Sequence, residues 1–407
     1  MKVVYERCCG LDVHKNNVVA CLMTPQGEPE VRKFSTMTKD LLALSGWLCS
    51  HNCTAVAMES TGVYWRPIHN VLEETGIEIL LVNAKHFRGV PGRPKTDKND
   101  AKWLADLLKH GLLRGSFVPE RSHRELRDVV RYRRGLVQDR AREANRVMKL
   151  LESANIKLKS VISDVLGVSG RAMLQCLAAG ETDPRIVAGE AKTHLKATPE
   201  QLELALQGLM SDDQRLMLLT QLRHIDFLGD QIDGLNARIE ERMRPFEKQL
   251  EQLDGITGIG RRGAEELVAE VGVDMSRFPS ANHLCSWAKV CPGVEESPGK
   301  RRNVSTGKGN PYIRAMLAEA AWAASHSRKT YLGEHFSRIA RRRGKKRAVV
   351  AVSNTILRIA YFMLRDGTEY NELGPNYFDE RAEQEVTRSS VRCLEKFGWK
   401  VTLVKAA

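Results

Sequence analysis

Two hydrophobic patterns divide the chain. In its first hundred-odd residues, short β-rich apolar runs precede and then alternate with segments of helical spacing. "KVVYERCCGLDVH" and "NNVVACLMTPQG" predict two strands joined by a polar turn, His14 to Asn17, and "EVRKFSTM" predicts a third. "TKDLLALSGWLCSH" then has helical spacing, with Thr38 as the expected N-cap. "TAVAMES" predicts a fourth strand, "VYWRPIHNVLEETG" a helix stopped by Gly76, and "IEILLVNA" a fifth strand. After a loop rich in Gly, Pro and basic residues, "DKNDAKWLADLLKHG" predicts a helix ending at Gly111. A three-strand meander followed by α/β alternation implies a mixed sheet covered by helices.

Beyond this region the period becomes helical throughout. From about Arg121 to Ile162, Val130, Val137, Ala144 and Leu151 recur every seven residues. A second row, Leu218, Ile225, Ile232, Ile239, Phe246 and Leu253, keeps the same interval and reads as a coiled-coil seam between copies of the chain. Pro245 is expected to kink or end that helix. "LDGITGIGRRGAEELVAEVG" resembles a helix-hairpin-helix, whose glycines admit a phosphate at the new helix's N-terminus beside Arg261 and Arg262. The expected organisation is residues 1–118, a helical assembly region at 119–252, a mainly α-helical domain at 253–365 and a tail at 366–407.

Charge narrows the function. The 407 residues carry a formal +13, and the excess is concentrated. Residues Lys300 to Arg347 hold fourteen Lys/Arg against two acids, and Gly111 to Leu150 hold eleven against five. Such density points to a nucleic-acid partner, with contacts expected from Lys95, Lys98, Arg261, Arg262, Lys300, Arg301, Arg302, Lys308 and the cluster Arg341, Arg342, Arg343, Lys345, Lys346 and Arg347. The nine cysteines form no CxxC pair, which favours buried reduced thiols and a cytoplasmic location over a zinc site at Cys49, His51 and Cys53. No apolar run is expected to span a membrane.

Four acids stand where this pattern can bring them together. Asp12 ends the first strand, Glu59 the fourth, and Asp97 and Asp100 open the helix after the fifth. If strands one and four are neighbours, all four carboxylates reach one rim of the sheet. Phosphodiester cleavage develops charge on both the attacking and the leaving oxygen, which paired Mg²⁺ ions held by carboxylates can stabilise, with Mn²⁺ as a substitute. An i, i+3 spacing puts Asp97 and Asp100 on one helical face, at the end whose dipole favours anions. Each acid alone also has a bland reading, as a helix cap or a turn residue.

"GLDVHK", "AMESTGVYW", "KTDKNDA", "LDGITGIG" and "ESPGKRRNVSTGKGNPYIRAML" together resemble the insertion sequence 110 family of transposases over essentially the whole chain. The resemblance implies an RuvC-like (RNase H-fold) N-terminal domain binding Mg²⁺ through the four acids. It implies a C-terminal transposase domain with a serine nucleophile at Ser297, Ser305 being the alternative. It further implies DNA as substrate, a structured guide RNA from the element, and a composite active site formed in a homo-oligomer. Two other readings fit the residues: a junction-resolvase-like nuclease that uses water, and a non-catalytic nucleic-acid-binding assembly protein.

Overall fold

The computed structural model describes residues 2–25, 27–59, 62–83, 97–192, 195–292, 294–297, 300–303, 306–307 and 309–402. They form two compact units, Met1–Arg121 and Ser122–Ala407.

The first unit is a five-stranded sheet ordered β3-β2-β1-β4-β5, with β1 Cys8–Val13, β2 Asn17–Met23, β3 Glu30–Ser35, β4 Ala55–Glu59 and β5 Glu78–Val82. Strands β1 to β3 are an antiparallel meander, and β4 and β5 run parallel to β1. This is the mixed sheet the alternation implies, and it has the RuvC-like class of architecture. Alternate residues of a strand face opposite sides. Cys9, Leu11, Val18, Leu22, Val56 and Met58 point one way and bury helices α1 Thr38–Ser50 and α2 Trp65–Leu72. Cys8, Gly10, Cys21, Ala55 and Ala57 point the other way, toward helix α3 Asp97–Lys109.

The small residues on that second face decide how close α3 comes. A Cβ on Gly10 would lie 2.2 Å from the Ala101 carbonyl oxygen and 2.5 Å from the Ala105 nitrogen. The helix backbone therefore rests on β1 itself. The expected cap of α1 is corrected: Thr38 is the first helical residue and Met37 the cap. No side chain caps this end; Ser35 accepts from the Met37 N–H and donates to Asp40. Gly76 and Gly111 end their helical segments at positive φ, as expected.

The second unit opens with an antiparallel helix pair, α4 Arg121–Ser153 and α9 Asp212–Met243. Its register follows from contacts along its length. The Gln214 amide donates to Ser153, His224 sits 3.6 Å from Glu143, Leu136 packs with Leu228 and Ile232, and Arg242 donates to the Ser122 carbonyl. Four short helices close the far end around one apolar cluster: α5 Leu158–Val161, α6 Val168–Ala178, α7 Pro184–Gly189 and α8 Pro199–Leu206. Two sequence expectations change here. Leu218, Ile232 and Ile239 are buried within a single chain, so this seam serves the intramolecular pair and is no evidence for assembly. In α4 the buried residue is Leu136, while Val137 is 40% exposed.

Pro245 does end α9; a 3₁₀ turn leads into α10 Glu247–Asp254, and α11 Arg261–Val271 follows. The remainder comprises α12 Ala281–Ala288, hairpin strands β6 Val294–Ser297 and β7 Lys300–Asn303, α13 Pro311–His326, α14 Tyr331–Arg343, α15 Lys345–Asp366 and α16 Tyr377–Lys396. Contrary to expectation, α15 is long and apolar enough to cross a membrane. It is nevertheless a core helix, burying Val352, Ile356, Leu357 and Tyr361 against its neighbours.

The arginines of α4 are explained by α11. Arg127 donates to the Ala269 and Glu270 carbonyls at the C-terminal end of α11, and Arg131 makes a two-pronged contact with the Glu270 carboxylate at 2.6 and 2.7 Å. Arg133 pairs with Glu265, both about 4% exposed, and Arg134 pairs with Glu266 and Glu319. Much of the positive excess in this segment is thus neutralised inside the unit.

The cysteines follow burial. Burial pushes Cys8, Cys21 and Cys285 up to about 11 and Cys53 up to about 12. Those thiols stay protonated and unreactive near neutrality. Cys49 and Cys393 are exposed. Brief alkylation of the native chain is expected to modify these two first, read by peptide mass mapping; equal labelling of Cys9 would contradict the described core.

Candidate active site

The strand register sets the site. Cys8 pairs with Ala55 and Leu11 with Met58, so one further step sets Asp12 beside Glu59 at the C-terminal ends of adjacent parallel strands. Asp12 shares its face with Cys8 and Gly10, the face on which α3 lies. Because Gly10 lets α3 rest on β1, the first turn of that helix, with Asp97 and Asp100, reaches the same rim. Asp12 is the one charged residue in an otherwise apolar strand.

The side chains bear this out for Asp12 and Asp97, and add a group that was not expected. His14 Nε2 lies 3.1 Å from Asp12 Oδ2 and 3.6 Å from Asp97 Oδ1. One ligand atom from each of Asp12, His14 and Asp97 falls within 4.8 Å of the others, a spacing that suits a shared cation. Burial raises the Asp12 pKa above the ordinary carboxyl value. The neighbouring His14 opposes that shift, while the Asp97 and Glu59 charges add to it. The strand register places Glu59, the third carboxylate, beside Asp12 on the adjacent strand. Crowded acids of this kind are relieved when a divalent ion is shared among them. His14 was visible in "GLDVHK" but read as part of a turn; its place two residues after Asp12 was the available signal.

The expected nucleic-acid contacts divide into several groups. Arg341, Arg342, Arg343, Lys345, Lys346 and Arg347 are all exposed, at the corner where Gly344 separates α14 from α15. Three of these cations stand at the N-terminus of α15, against the helix dipole, which an incoming phosphate would relieve. Lys98 is exposed beside Asp97. Arg261 is tied to Glu247 across the turn between α10 and α11, and Arg262 to Glu265 at 3.2 Å. In the same turn Gly258 packs on α13, where a Cβ would meet the Ala320 oxygen at 2.3 Å; Gly260 is open. Lys95, Lys308 and Ser305 lie outside the described residues, as do the side chains of Ser297, Lys300, Arg301 and Arg302. The backbone places Ser297 at the end of β6, paired with Lys300. That extended conformation suits a residue preceding proline.

Two family models match this sequence. The IS110-type DEDD model, described as a transposase, matches residues 9–156, which include Asp12, Glu59, Asp97 and Asp100. A second model, described as a transposase of the IS116/IS110/IS902 family, matches residues 250–337. The matched regions together exceed half of the chain. The chain belongs to the IS110 family of transposases. A candidate transposase of Sinorhizobium fredii is 24% identical to this IS110-family chain over 78% of its length and 75% of the relative's. The transposase for insertion sequence element IS1533 of Leptospira borgpetersenii is 29% identical over 37% of this chain and 44% of its own. The transposase for insertion sequence element IS1111A of Coxiella burnetii is 22% identical over 71% and 72%. For an IS110-family transposase, DNA binding and a divalent-metal acidic site are family traits, and the cluster around Asp12 is the described group that fits the second.

Proposed function

We propose that this transposase cuts and rejoins DNA strands of an insertion sequence, with Asp12, Glu59, Asp97 and Asp100 holding Mg²⁺ and Ser297 attacking the scissile phosphate. The observation that carries the reading is the approach of Asp12 and Asp97 to one shared position, on the strand next to that of Glu59. A bound divalent ion would supply charge stabilisation to the attacking and leaving oxygens. The chain's own residues do the rest. The four acids fix the ion's place, His14 holds Asp12 and Asp97 in register, and the exposed basic corner from Arg341 to Arg347 holds the DNA backbone. The role of Ser297 rests on its match to the family motif and on its extended backbone, with the basic Lys300, Arg301 and Arg302 following in sequence. Guidance by a structured RNA and action as a homo-oligomer follow from the same resemblance. Assembly would use surfaces other than the α9 seam.

Trapping the full chain on a suicide DNA substrate and mapping the linked residue tests the nucleophile. A DNA adduct on Ser297, absent in Ser297→Ala, is expected. Unimpaired cleavage by Ser297→Ala without an adduct would favour the water-using nuclease instead.

A further inference from the structure

The segment after α15 is acidic: from Asp366 to Glu385 it holds seven carboxylates and one arginine. It returns to the basic part of the same unit and is anchored there. Glu372 accepts from the Tyr331 backbone N–H at 2.6 Å, from Gly374 N at 2.9 Å, and from the hydroxyls of Thr257 and Tyr370. Phe378 then lies nearly parallel to two rings of α14, with centroids 5.1 Å from both Tyr331 and His335. Asp379 pairs with Arg338 at 2.7 Å, and the Arg338 guanidinium stands 5.5 Å from the Phe378 ring. Beside this stack is a groove of about 750 Å³ lined by His335, Arg338, Arg341, Arg342, Arg343 and Phe378.

A flat ring stacked on aromatic side chains, next to a carboxylate on an arginine, reproduces the two groups of a nucleotide: a base and its phosphate. Proteins that hold single strands combine aromatic platforms with a cationic track in this way. Here the track continues as Arg342 and Arg343, exposed on the last turn of α14, with Arg341 beside them paired to Glu334 at 3.2 Å. Burial lowers the His335 pKa, which keeps its ring neutral for stacking. The occupant is held at the surface: Tyr377 and Phe378 are half-buried, and no described residue of α16 is fully buried.

We infer that the α14 face bearing Tyr331, His335 and Arg338 binds an unpaired nucleotide of a single-stranded nucleic acid, and that Phe378 and Asp379 occupy this place in the free protein. The inference rests on the proposed nucleic-acid function. It assigns the tail a competitor's role, so nucleic acid binds only as the tail lets go.

The test measures binding of labelled homothymidine and homouridine single strands, and of a DNA duplex, by anisotropy with the full chain. The paired variant Phe378→Ala/Asp379→Ala is expected to bind single strands on the order of ten-fold tighter, with duplex affinity unchanged. Adding His335→Ala should remove the gain. The arm with the larger gain identifies the strand as DNA or RNA. Unchanged or weaker single-strand binding by the paired variant, with duplex binding intact, overturns this inference alone; so does a gain that survives His335→Ala. If neither chain binds any of the three probes, the proposed function fails as well. In a parallel measurement, added single strand should speed proteolysis of the native tail; unaltered cleavage at saturating strand would contradict release.

Discussion

Replacing Gly10 with valine is expected to destabilise the first unit by roughly 1–3 kcal/mol and to pull the acidic site apart. The reason is local. Even the first added carbon would lie 2.2 Å from the Ala101 oxygen, and two more methyl-sized groups follow it in valine. Neither obstacle is a flexible side chain; both near atoms belong to the backbone of α3. The helix must therefore slide or lift from β1. Because Asp97 and Asp100 ride on its first turn, their distance from Asp12 grows with the shift. Thermal melting and Mn²⁺ titration check the two halves separately. A variant with native melting and native metal binding would show that α3 does not rest on β1 as described.

The second large effect belongs to the other unit. Arg133→Ala should cost about 3 kcal/mol, because it removes the buried partner of Glu265 and leaves that carboxylate, almost closed to water, only the more exposed Arg262 at 3.2 Å and Arg261 at 3.5 Å. The pair variant Arg133→Met/Glu265→Leu is expected to recover most of the loss, as it removes both buried charges and leaves only Arg261 and Arg262, whose side chains reach solvent. Denaturant unfolding measures both. A mild loss for Arg133→Ala, comparable to that at an exposed arginine, would mean the pair is solvated.

The contrast between these two sites explains what the sequence made legible. The first unit was readable because its strands are short, apolar and punctuated, and because β1 carries one charged residue, Asp12, at its rim. A strand-end acid in a buried strand is a local signal. The partner of Asp12 across the sheet, Glu59, followed from strand order alone. His14 escaped because a histidine in a turn is ordinary until Asp97, eighty-odd positions later in the chain, is brought beside it.

The second unit hid its logic in distance. Arg131, Arg133 and Arg134 sit on a helix whose apolar heptad row gives no sign of their pairing, and their partners Glu265, Glu266 and Glu270 lie more than a hundred residues away. A charge count adds cations without knowing which are paired. The seam of α9 read as intermolecular because nothing near it in the sequence looked able to bury it, and its cover, α4, comes earlier in the chain with four short helices between. The basic corner at Arg341 to Arg347 was read more directly, since a dense run broken only by Gly344 leaves little room for internal partners.

The central claim is that carboxylates from separate stretches of the first unit share a divalent ion. Electron paramagnetic resonance of Mn²⁺, titrated into the full chain and into Asp12→Asn and Asp97→Asn, addresses it without reference to catalysis. The account predicts saturable binding by the native chain that is displaced by Mg²⁺ and lost in each variant, with folding unchanged by circular dichroism. Equal Mn²⁺ binding by all three chains, or none by the native one, would contradict it.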